Sequence, residues 1–251
     1  MRNIQAVTFD LWQTLVMDDR ELGRSRTRLR LEGTSNALSD VGYSFTMDHL
    51  QDAYRACYRI CRSRHKEGKD YSFHDQVAIF VDGIKPGLGK LLPIDVMDLI
   101  SHCYAEAFFD FPPVIAVGAR EALQSVKSRG YLIGLISNTG MTPGILFRRF
   151  LCSEDLLQFF HVLTFSDEVE LCKPSTQIFD LTLKSLGASA ENTVHVGDHI
   201  KNDILGANQA GMISILVGSA EGQEKLAEPH LNIGDLHGLP QALDKLAEMT
   251  D

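Results

Sequence analysis

Short apolar runs that end in a polar residue recur along this chain, and each one predicts a buried parallel strand. They occupy residues 4–10, 132–138, 161–166, 193–198 and 214–218. Between them, residues 119–130, 175–187 and 202–211 carry apolar side chains at helical spacing and end at a glycine. The alternation predicts an α/β fold, a Rossmann-like doubly wound parallel sheet with helices on both faces.

Residues 17–109 depart from this pattern. They are rich in arginine, they show helical spacing, and no strand pattern competes with it. The prolines of FPPV at 111–114 mark the return to the alternating pattern. We therefore predict an all-helical cap domain over 17–109, inserted into a core domain formed by 1–16 and 110–251.

Composition narrows the class of protein. Of 251 residues, 44% are hydrophobic and 23% charged, which is typical of a soluble globular protein. No apolar run reaches the roughly 18 residues that a membrane helix needs, and MRNIQAVTFD lacks a signal segment, so we expect a cytoplasmic protein with no membrane partner. A net charge of −9 argues against a nucleic-acid partner, and five widely spaced cysteines do not predict a disulfide framework. The sequence leaves monomer and homodimer open.

Polar residues cluster where the predicted strands end. These residues are Asp10, Ser137, Asn138, Asp198 and Asp203. In doubly wound sheets the ligand site lies at the carboxyl ends of the strands, so we expect these side chains to meet. Thr14 follows Asp10 by four residues, and Lys173 stands in CKPS.

These residue types suit phosphoryl transfer. Three carboxylates at one point repel one another unless a cation lies among them, and hard oxygen ligands of this kind suit Mg²⁺. Hydroxyl groups and a lysine then hold phosphate oxygens, which points to Thr14, Ser137 and Lys173. The chemistry that fits is transfer of a phosphoryl group to Asp10 and hydrolysis of the resulting aspartyl-phosphate.

Simpler structural roles exist for the same residues. Asp10 or Asp203 can cap a helix, and so can Ser137 and Asn138, which we also predict to bind substrate. Lys173 before a proline can be a solvated turn residue.

Four motifs in this order resemble those of the haloacid dehalogenase superfamily. They are FDLWQTL at 9–15, SNT at 137–139, KP at 173–174 and GDHIKNDILGANQAG at 197–211. The family commonly reads D-x-D-G-T-L in the first and G-D-x-x-x-N-D-x-x-G-A-x-x-A-G in the fourth, and it carries a cap inserted after the first strand.

The resemblance implies roles for individual residues. Asp10 is then the nucleophile, and Ser137 and Lys173 hold the transferred group. Mg²⁺ is held by Asp10, the backbone carbonyl of Trp12, Asp198 and Asp203. The expected substrate is a small anionic phosphorylated metabolite.

The chain departs from the family at Trp12. Phosphatases of the family have a second Asp there, which protonates the leaving oxygen, whereas an indole only donates one hydrogen bond and does not titrate near neutral pH. Three interpretations follow. The chain is a phosphatase helped by a cap residue, with His65, Glu67 and His74 as candidates; or a 2-haloacid dehalogenase-type hydrolase, although those enzymes use no metal and lack the two-Asp fourth motif; or a catalytically impaired binding protein.

Two further features stay open at this stage. The Trp12 ring either packs beneath the cap or forms a wall against an aromatic substrate. The arginines crowded at 20–30 and 55–62 are typical of a solvated helix face, although one or two of them reaching the cleft would bind an anion.

Overall fold

The computed structural model describes residues 3–248 of the chain. Its strands are β1 (Ala6–Phe9), β2 (Val16–Met17), β3 (Val114–Ile115), β4 (Leu132–Ser137), β5 (Val162–Phe165), β6 (Thr193–Gly197), β7 (Ile213–Val217) and β8 (Leu231–Ile233). Its helices are α1 (Arg20–Ser39), α2 (Met47–His65), α3 (Phe73–Ile84), α4 (Leu88–Leu91), α5 (Ile94–Asp110), α6 (Ala119–Ser128), α7 (Gly144–Ser153), α8 (Ser166–Val169), α9 (Thr176–Leu186), α10 (Gly206–Gln209) and α11 (Leu239–Glu248). A π-helical segment, Ile200–Leu205, precedes α10.

Six strands form one parallel sheet in the order β5-β4-β1-β6-β7-β8. After β1 the chain builds outward through β4 and β5, and it then returns to the other side of β1 with β6. The carboxyl ends of β1, β4 and β6 therefore meet at the point where the crossover direction reverses, which is where such sheets bind ligands. The predicted α/β, Rossmann-like fold is confirmed.

All five predicted strands exist, with bounds that differ by one or two residues. The sequence reading missed β8, since three residues show no alternation that distinguishes a strand from a loop. It also missed α7 and α11. Residues 202–211, predicted as one helix, begin in the π-helical segment and continue as α10.

The five helices α1 to α5 fill the stretch predicted to be a helical cap. They enclose a hydrophobic cluster of their own, in which Leu50, Phe80, Ile100 and Tyr104 are fully buried. Where the chain leaves and re-enters the sheet region, β2 and β3 pair in antiparallel register. The division into two domains at 17 and 109 stays a prediction.

The loop after α2 contacts the segment that precedes Lys173. The Cys172 amide donates to the Gly68 carbonyl at 3.1 Å, and the Asp70 amide donates to the Glu170 carbonyl at 3.0 Å. Gly68 has φ of 73°, and a Cβ there would lie 2.7 Å from Cβ of Ser175. Glycine is therefore required at this contact, because it alone allows both the backbone conformation and the close approach.

Among residues 3–248, none of the helices combines the length and apolar character needed to cross a membrane. The cytoplasmic location and the choice between monomer and homodimer stay predictions.

Candidate active site

Asp10, Lys173 and Asp203 form a buried ionic cluster at the sheet's switch point. Nζ of Lys173 lies 2.5 Å from Oδ1 of Asp10 and 2.6 Å from Oδ1 of Asp203. All three side chains are buried. Asp10 follows β1 directly, and its amide donates to the Val196 carbonyl of β6 at 2.9 Å, so neighbouring strands fix its position.

Asp198 completes a group of three carboxylates. Oxygen atoms of Asp10, Asp198 and Asp203 all lie within 4.8 Å of one another. Asp198 is partly exposed, and it follows β6. Gln223 holds this turn, because its Nε2 donates to the Asp198 carbonyl at 2.9 Å and its Oε1 accepts from the Ile200 amide at 2.7 Å.

Gly197 allows Asp203 to lie against β6. A Cβ at Gly197 would stand 2.4 Å from Cγ of Asp203, closer than real atoms approach. The Asp203 carboxylate also accepts from the His199 amide at 2.9 Å. In this chain, steric contact with Asp203 therefore explains why the first residue of the fourth motif is a glycine.

Burial and charge separate the pKa values of the three carboxyl groups. Burial raises the pKa of Asp10 to about 8; the Lys173 ammonium group opposes this, and the Asp203 and Asp198 carboxylates add to it. Burial and the Asp203 carboxylate raise the pKa of Asp198 to about 6. Burial would also raise the pKa of Asp203, but Lys173 and the bond from His195 outweigh it and hold that pKa well below its usual range.

The carboxylate group fits a magnesium ion. One lysine faces three acids, so the cluster carries excess negative charge when all three are ionised, and a further cation would offset that charge. Its donors are hard oxygens, which Mg²⁺ prefers. The predicted contribution of the Trp12 carbonyl stays a prediction.

Thr14 presents a buried hydroxyl to this cluster. Its Oγ1 has no hydrogen-bond partner at ordinary distance. It lies close enough to Asp198 to oppose, in part, the rise in the pKa of that carboxyl group. A buried polar atom without a partner costs free energy, which a ligand oxygen would recover. This position suits the predicted contact with a phosphate.

Ser137 and Asn138 follow β4 at the same edge of the sheet. The Ser137 hydroxyl is buried and makes only a long contact of 3.5 Å, to the Asn138 carbonyl. The Asn138 side chain bonds both to the Lys173 amide at 2.9 Å and to the Lys173 carbonyl at 3.0 Å. Asn138 therefore positions Lys173, and its predicted contact with substrate stays a prediction.

Sequence reasoning missed His195. Its Nε2 lies 3.3 Å from Oδ1 of Asp203, and its Nδ1 lies 2.9 Å from the Thr8 hydroxyl, all of them buried. Burial lowers the pKa of His195, so the ring is held neutral beside Asp203. The available signal was a histidine inside the otherwise apolar strand TVHVG.

The half-buried Trp12 ring packs against the core. It meets Phe147 edge to face, with ring centroids 5.2 Å apart, and the Arg26 guanidinium lies 5.9 Å above it. This favours the packing interpretation over an aromatic wall for substrate.

Two cap arginines contradict the expectation of a solvated face. Arg26 and Arg30 are only 5% and 4% exposed. Arg26 pairs with Asp18 and donates to the Phe111 carbonyl. It therefore contacts both segments that connect the helices α1 to α5 with the sheet. Arg30 donates to the Tyr104 carbonyl at 2.8 Å and to the Thr142 hydroxyl at 2.9 Å. Both are buried because backbone and hydroxyl acceptors on distant segments bind their guanidinium groups, which sequence spacing does not reveal.

Only one of the three candidate proton donors of the cap reaches this region. His65 lines a cavity together with Asn138 and Lys173. Its Nε2 lies 2.9 Å from Oδ1 of the buried Asp70, which also accepts from the Ser166 hydroxyl at 2.5 Å. His74 instead lines a separate cavity between α3 and α5, and Glu67 is exposed.

The sheet, with its cluster at the carboxyl ends of the strands, places the chain in the doubly wound α/β class, and comparison with known proteins gives the family. The sequence profile of haloacid dehalogenase-like hydrolases matches residues 95–217. The chain is 30% identical over 222 residues to a glyceraldehyde 3-phosphate phosphatase of Methanothermobacter thermautotrophicus, with 86% of each covered. The chain belongs to the haloacid dehalogenase-like hydrolase family, and the predicted family is confirmed.

Solved structures show the same fold. A phosphatase of this family from Thermococcus onnurineus superposes with a TM-score of 0.64 and 20% identity, over 96% of this chain and 98% of that one. A 2-haloacid dehalogenase from Pseudomonas syringae gives 0.72 and 21% identity, over 97% and 99%. The prediction of a hydrolase acting on phosphate monoesters agrees with the curated relative.

Proposed function

We propose that this chain is a Mg²⁺-dependent phosphatase that cleaves a small phosphorylated metabolite through an aspartyl-phosphate at Asp10. The observation that carries the proposal is the buried contact of Asp10 with Lys173, next to the carboxylates of Asp198 and Asp203. The name of the relative, glyceraldehyde 3-phosphate phosphatase, supports a three-carbon or similarly small substrate.

In the first step a carboxylate oxygen of Asp10 attacks phosphorus and the bond from phosphorus to the ester oxygen breaks. Lys173 and the hydroxyls of Thr14 and Ser137 hold the equatorial oxygens, where negative charge is concentrated. Water then attacks the phosphorus of the aspartyl-phosphate, which restores the Asp10 carboxylate and releases phosphate. When bound by Asp10, Asp198, Asp203 and the Trp12 carbonyl, Mg²⁺ supplies positive charge that keeps Asp10 ionised and screens the phosphoryl group.

The leaving oxygen needs a proton that Trp12 cannot supply. We assign this role to His65, since it alone of the three cap candidates lines the cavity beside Lys173. An imidazole can act as a general acid, and Nε2 of His65 lies 2.9 Å from Oδ1 of the buried Asp70.

The two alternatives are less well supported. A metal-free dehalogenase has no use for the carboxylates of Asp198 and Asp203 beside its nucleophile. A binding protein without catalysis does not explain why Asp10, Lys173 and Asp203, all buried, are grouped with Asp198 at the switch point of the sheet.

The test is turnover of para-nitrophenyl phosphate with Mg²⁺ and with chelator, for the wild type, Asp10→Asn and the exposed control Asp180→Asn. We expect metal-dependent turnover in the wild type and the control, and none in Asp10→Asn. Absence of turnover in the wild type would contradict the phosphatase proposal, and 2-haloacids without metal would be assayed next.

A further inference from the structure

A cavity of about 240 Å³ adjoins the catalytic cluster. One wall is the end of α2 and the residues after it, the other is the start of the π-helical segment, and the base contains Lys173. Its lining comprises Arg62, His65, Lys66, Asn138, Lys173, Pro174, His199, Lys201 and Asn202. Lys173 connects this cavity to the nucleophile, because it lines the cavity and its Nζ is 2.5 Å from Oδ1 of Asp10.

Three cations that face the cavity have no partner. Arg62, Lys66 and Lys201 are exposed, and their side chains make no ion pair or hydrogen bond with any residue of 3–248; no Asp or Glu lines the cavity. Several other arginines, such as Arg129 with Asp244 and Arg149 with Glu106, are paired. In a protein of net charge −9, unpaired cations around one cavity form an attractive site for an anion.

An ordinary helix-end effect accounts for only part of this cluster. Arg62 lies in the last turn of α2, where basic side chains complement the helix dipole. Lys201 comes from a different element, beyond β6, and faces the same cavity from the other wall. Charge on both walls indicates a ligand between them rather than a solvated helix face.

The end of α2 is held against the segment that contains Lys173. The Gly68 carbonyl accepts from the Cys172 amide at 3.1 Å. Gly68 lies three residues after His65, and Cys172 directly precedes Lys173. A fixed backbone on this side of the cavity reduces the entropy that is lost on binding.

We propose that this cavity is a subsite for a second anionic group of the substrate, a carboxylate or a second phosphate. This inference rests on the proposed phosphatase function. The phosphoryl group to be cleaved would lie at Asp10 and Lys173, and the second anion would contact Arg62, Lys66 and Lys201. Guanidinium and ammonium groups both bind carboxylate and phosphate oxygens through charge-assisted hydrogen bonds.

The experiment compares three esters of one chain length, which are 1,4-butanediol monophosphate, 1,4-butanediol bisphosphate and 4-phosphooxybutanoate. They are assayed with wild type, with the variant Arg62→Gln/Lys66→Gln/Lys201→Gln, and with the charge-matched control Arg59→Gln/Lys90→Gln/Lys184→Gln. The control removes three exposed cations that lie outside this cavity. Thermal unfolding checks that all three proteins are folded.

We expect wild type and control to favour at least one doubly anionic ester by about tenfold in kcat/KM, after correction for the two equivalent ends of the bisphosphate. The cavity variant should lose this preference and stay within about twofold of wild type on the monophosphate. The bisphosphate and the phosphocarboxylate together identify which second anion is preferred. Added salt should reduce the wild-type preference.

Equal kcat/KM on all three esters, or an equal loss on all three in the cavity variant, would overturn the subsite while leaving the phosphatase function intact. Binding of butane-1,4-bisphosphonate and of butylphosphonate, measured by calorimetry, separates the two proposals. If no ester is hydrolysed, the phosphatase function fails. The subsite then stands only if the bisphosphonate binds wild type about tenfold more tightly than the cavity variant.

Discussion

Nζ of Lys173 lies 2.5 Å from Oδ1 of Asp10, and both side chains are buried. The two residues are 163 positions apart in the sequence, and the parallel sheet brings them together at the ends of its strands. Burial lowers the pKa of Lys173, but Asp10 and Asp203 outweigh this effect and raise it to about 12, so the lysine stays charged. It therefore acts as a permanent positive charge beside the nucleophile.

Replacing Lys173 by Gln should reduce kcat on para-nitrophenyl phosphate by about 10²- to 10³-fold, because a fixed charge that stabilises the phosphoryl oxygens is lost. Lys173 also lowers the pKa of Asp10, so the remaining activity should shift to higher pH. The measurement is a pH–rate profile at saturating Mg²⁺, with Lys184→Gln as the control. A profile and rate like those of wild type would show that Lys173 has no role in turnover.

Replacing His65 by Gln should affect substrates according to their leaving group. Alkyl phosphates need a proton on the departing oxygen, so their kcat should fall by about 10²-fold, whereas para-nitrophenyl phosphate should change little. His74→Gln is the matched control, because His74 lines a different cavity. Equal effects of His65→Gln on both kinds of ester would assign His65 to substrate positioning and not to proton transfer.

Trp12→Asp should supply a second acid, at the position where phosphatases of the family carry one. We expect the ratio of alkyl to aryl phosphate turnover in Trp12→Asp to rise by about tenfold or more. In the His65→Gln protein, where this ratio is reduced, adding Trp12→Asp should restore it. The same change removes the ring that packs on Phe147, so unfolding free energy should fall by about 3 kcal/mol. Trp12→Phe keeps an aromatic ring without an acid and should leave the ratio unchanged; a rise in Trp12→Phe would mean that packing controls it.

Much of the sheet and the position of the carboxylates were predictable because they depend on local pattern. β1, β4 and β6 are buried on both faces and read as apolar runs, and the polar residue after each run lies at the edge where ligands bind. The four motifs placed Asp10, Lys173 and Asp203 on neighbouring loops, where the structure brings them into contact.

What was not predictable depends on contacts between distant segments. Arg30 is buried by the Tyr104 carbonyl and by the Thr142 hydroxyl, which is 112 positions away, and neither acceptor has a signal in the sequence around Arg30. The convergence of Arg62 with Lys201 likewise depends on where the end of α2 lies relative to the π-helical segment, which is distant in the sequence. The strand β8 was not predicted because three residues are too few to show a periodic pattern.

Gly197→Ala should damage the catalytic cluster through sterics alone. The new methyl group would lie 2.4 Å from Cγ of Asp203, so that side chain must move away from Lys173 and His195. We expect kcat/KM to fall about 10²-fold and unfolding free energy to fall by about 1–3 kcal/mol. Gly234→Ala is the control, since nothing lies within 4 Å of a Cβ built there. Near-normal activity in Gly197→Ala would show that Asp203 need not lie against β6.

Asp167 predicts a pH dependence of stability away from the catalytic cluster. It is buried, it accepts from the Gly144 amide at the start of α7 at 3.1 Å, and burial raises its pKa to about 6. The folded state therefore binds more protons at this group than the unfolded state, so its contribution to stability is complete below about pH 4. That contribution is lost as pH rises through about 6.

In Asp167→Asn the group no longer titrates. Relative to this variant, wild type should lose about 2–3 kcal/mol of unfolding free energy between pH 4 and pH 7, measured by urea denaturation. Asp167→Ala lacks the oxygen acceptor as well, so it should be less stable than Asp167→Asn at every pH but show the same pH trend against wild type. A difference between wild type and Asp167→Asn that stays constant over this range would mean that Asp167 is ionised in the folded protein at pH 4, held so by the Gly144 amide.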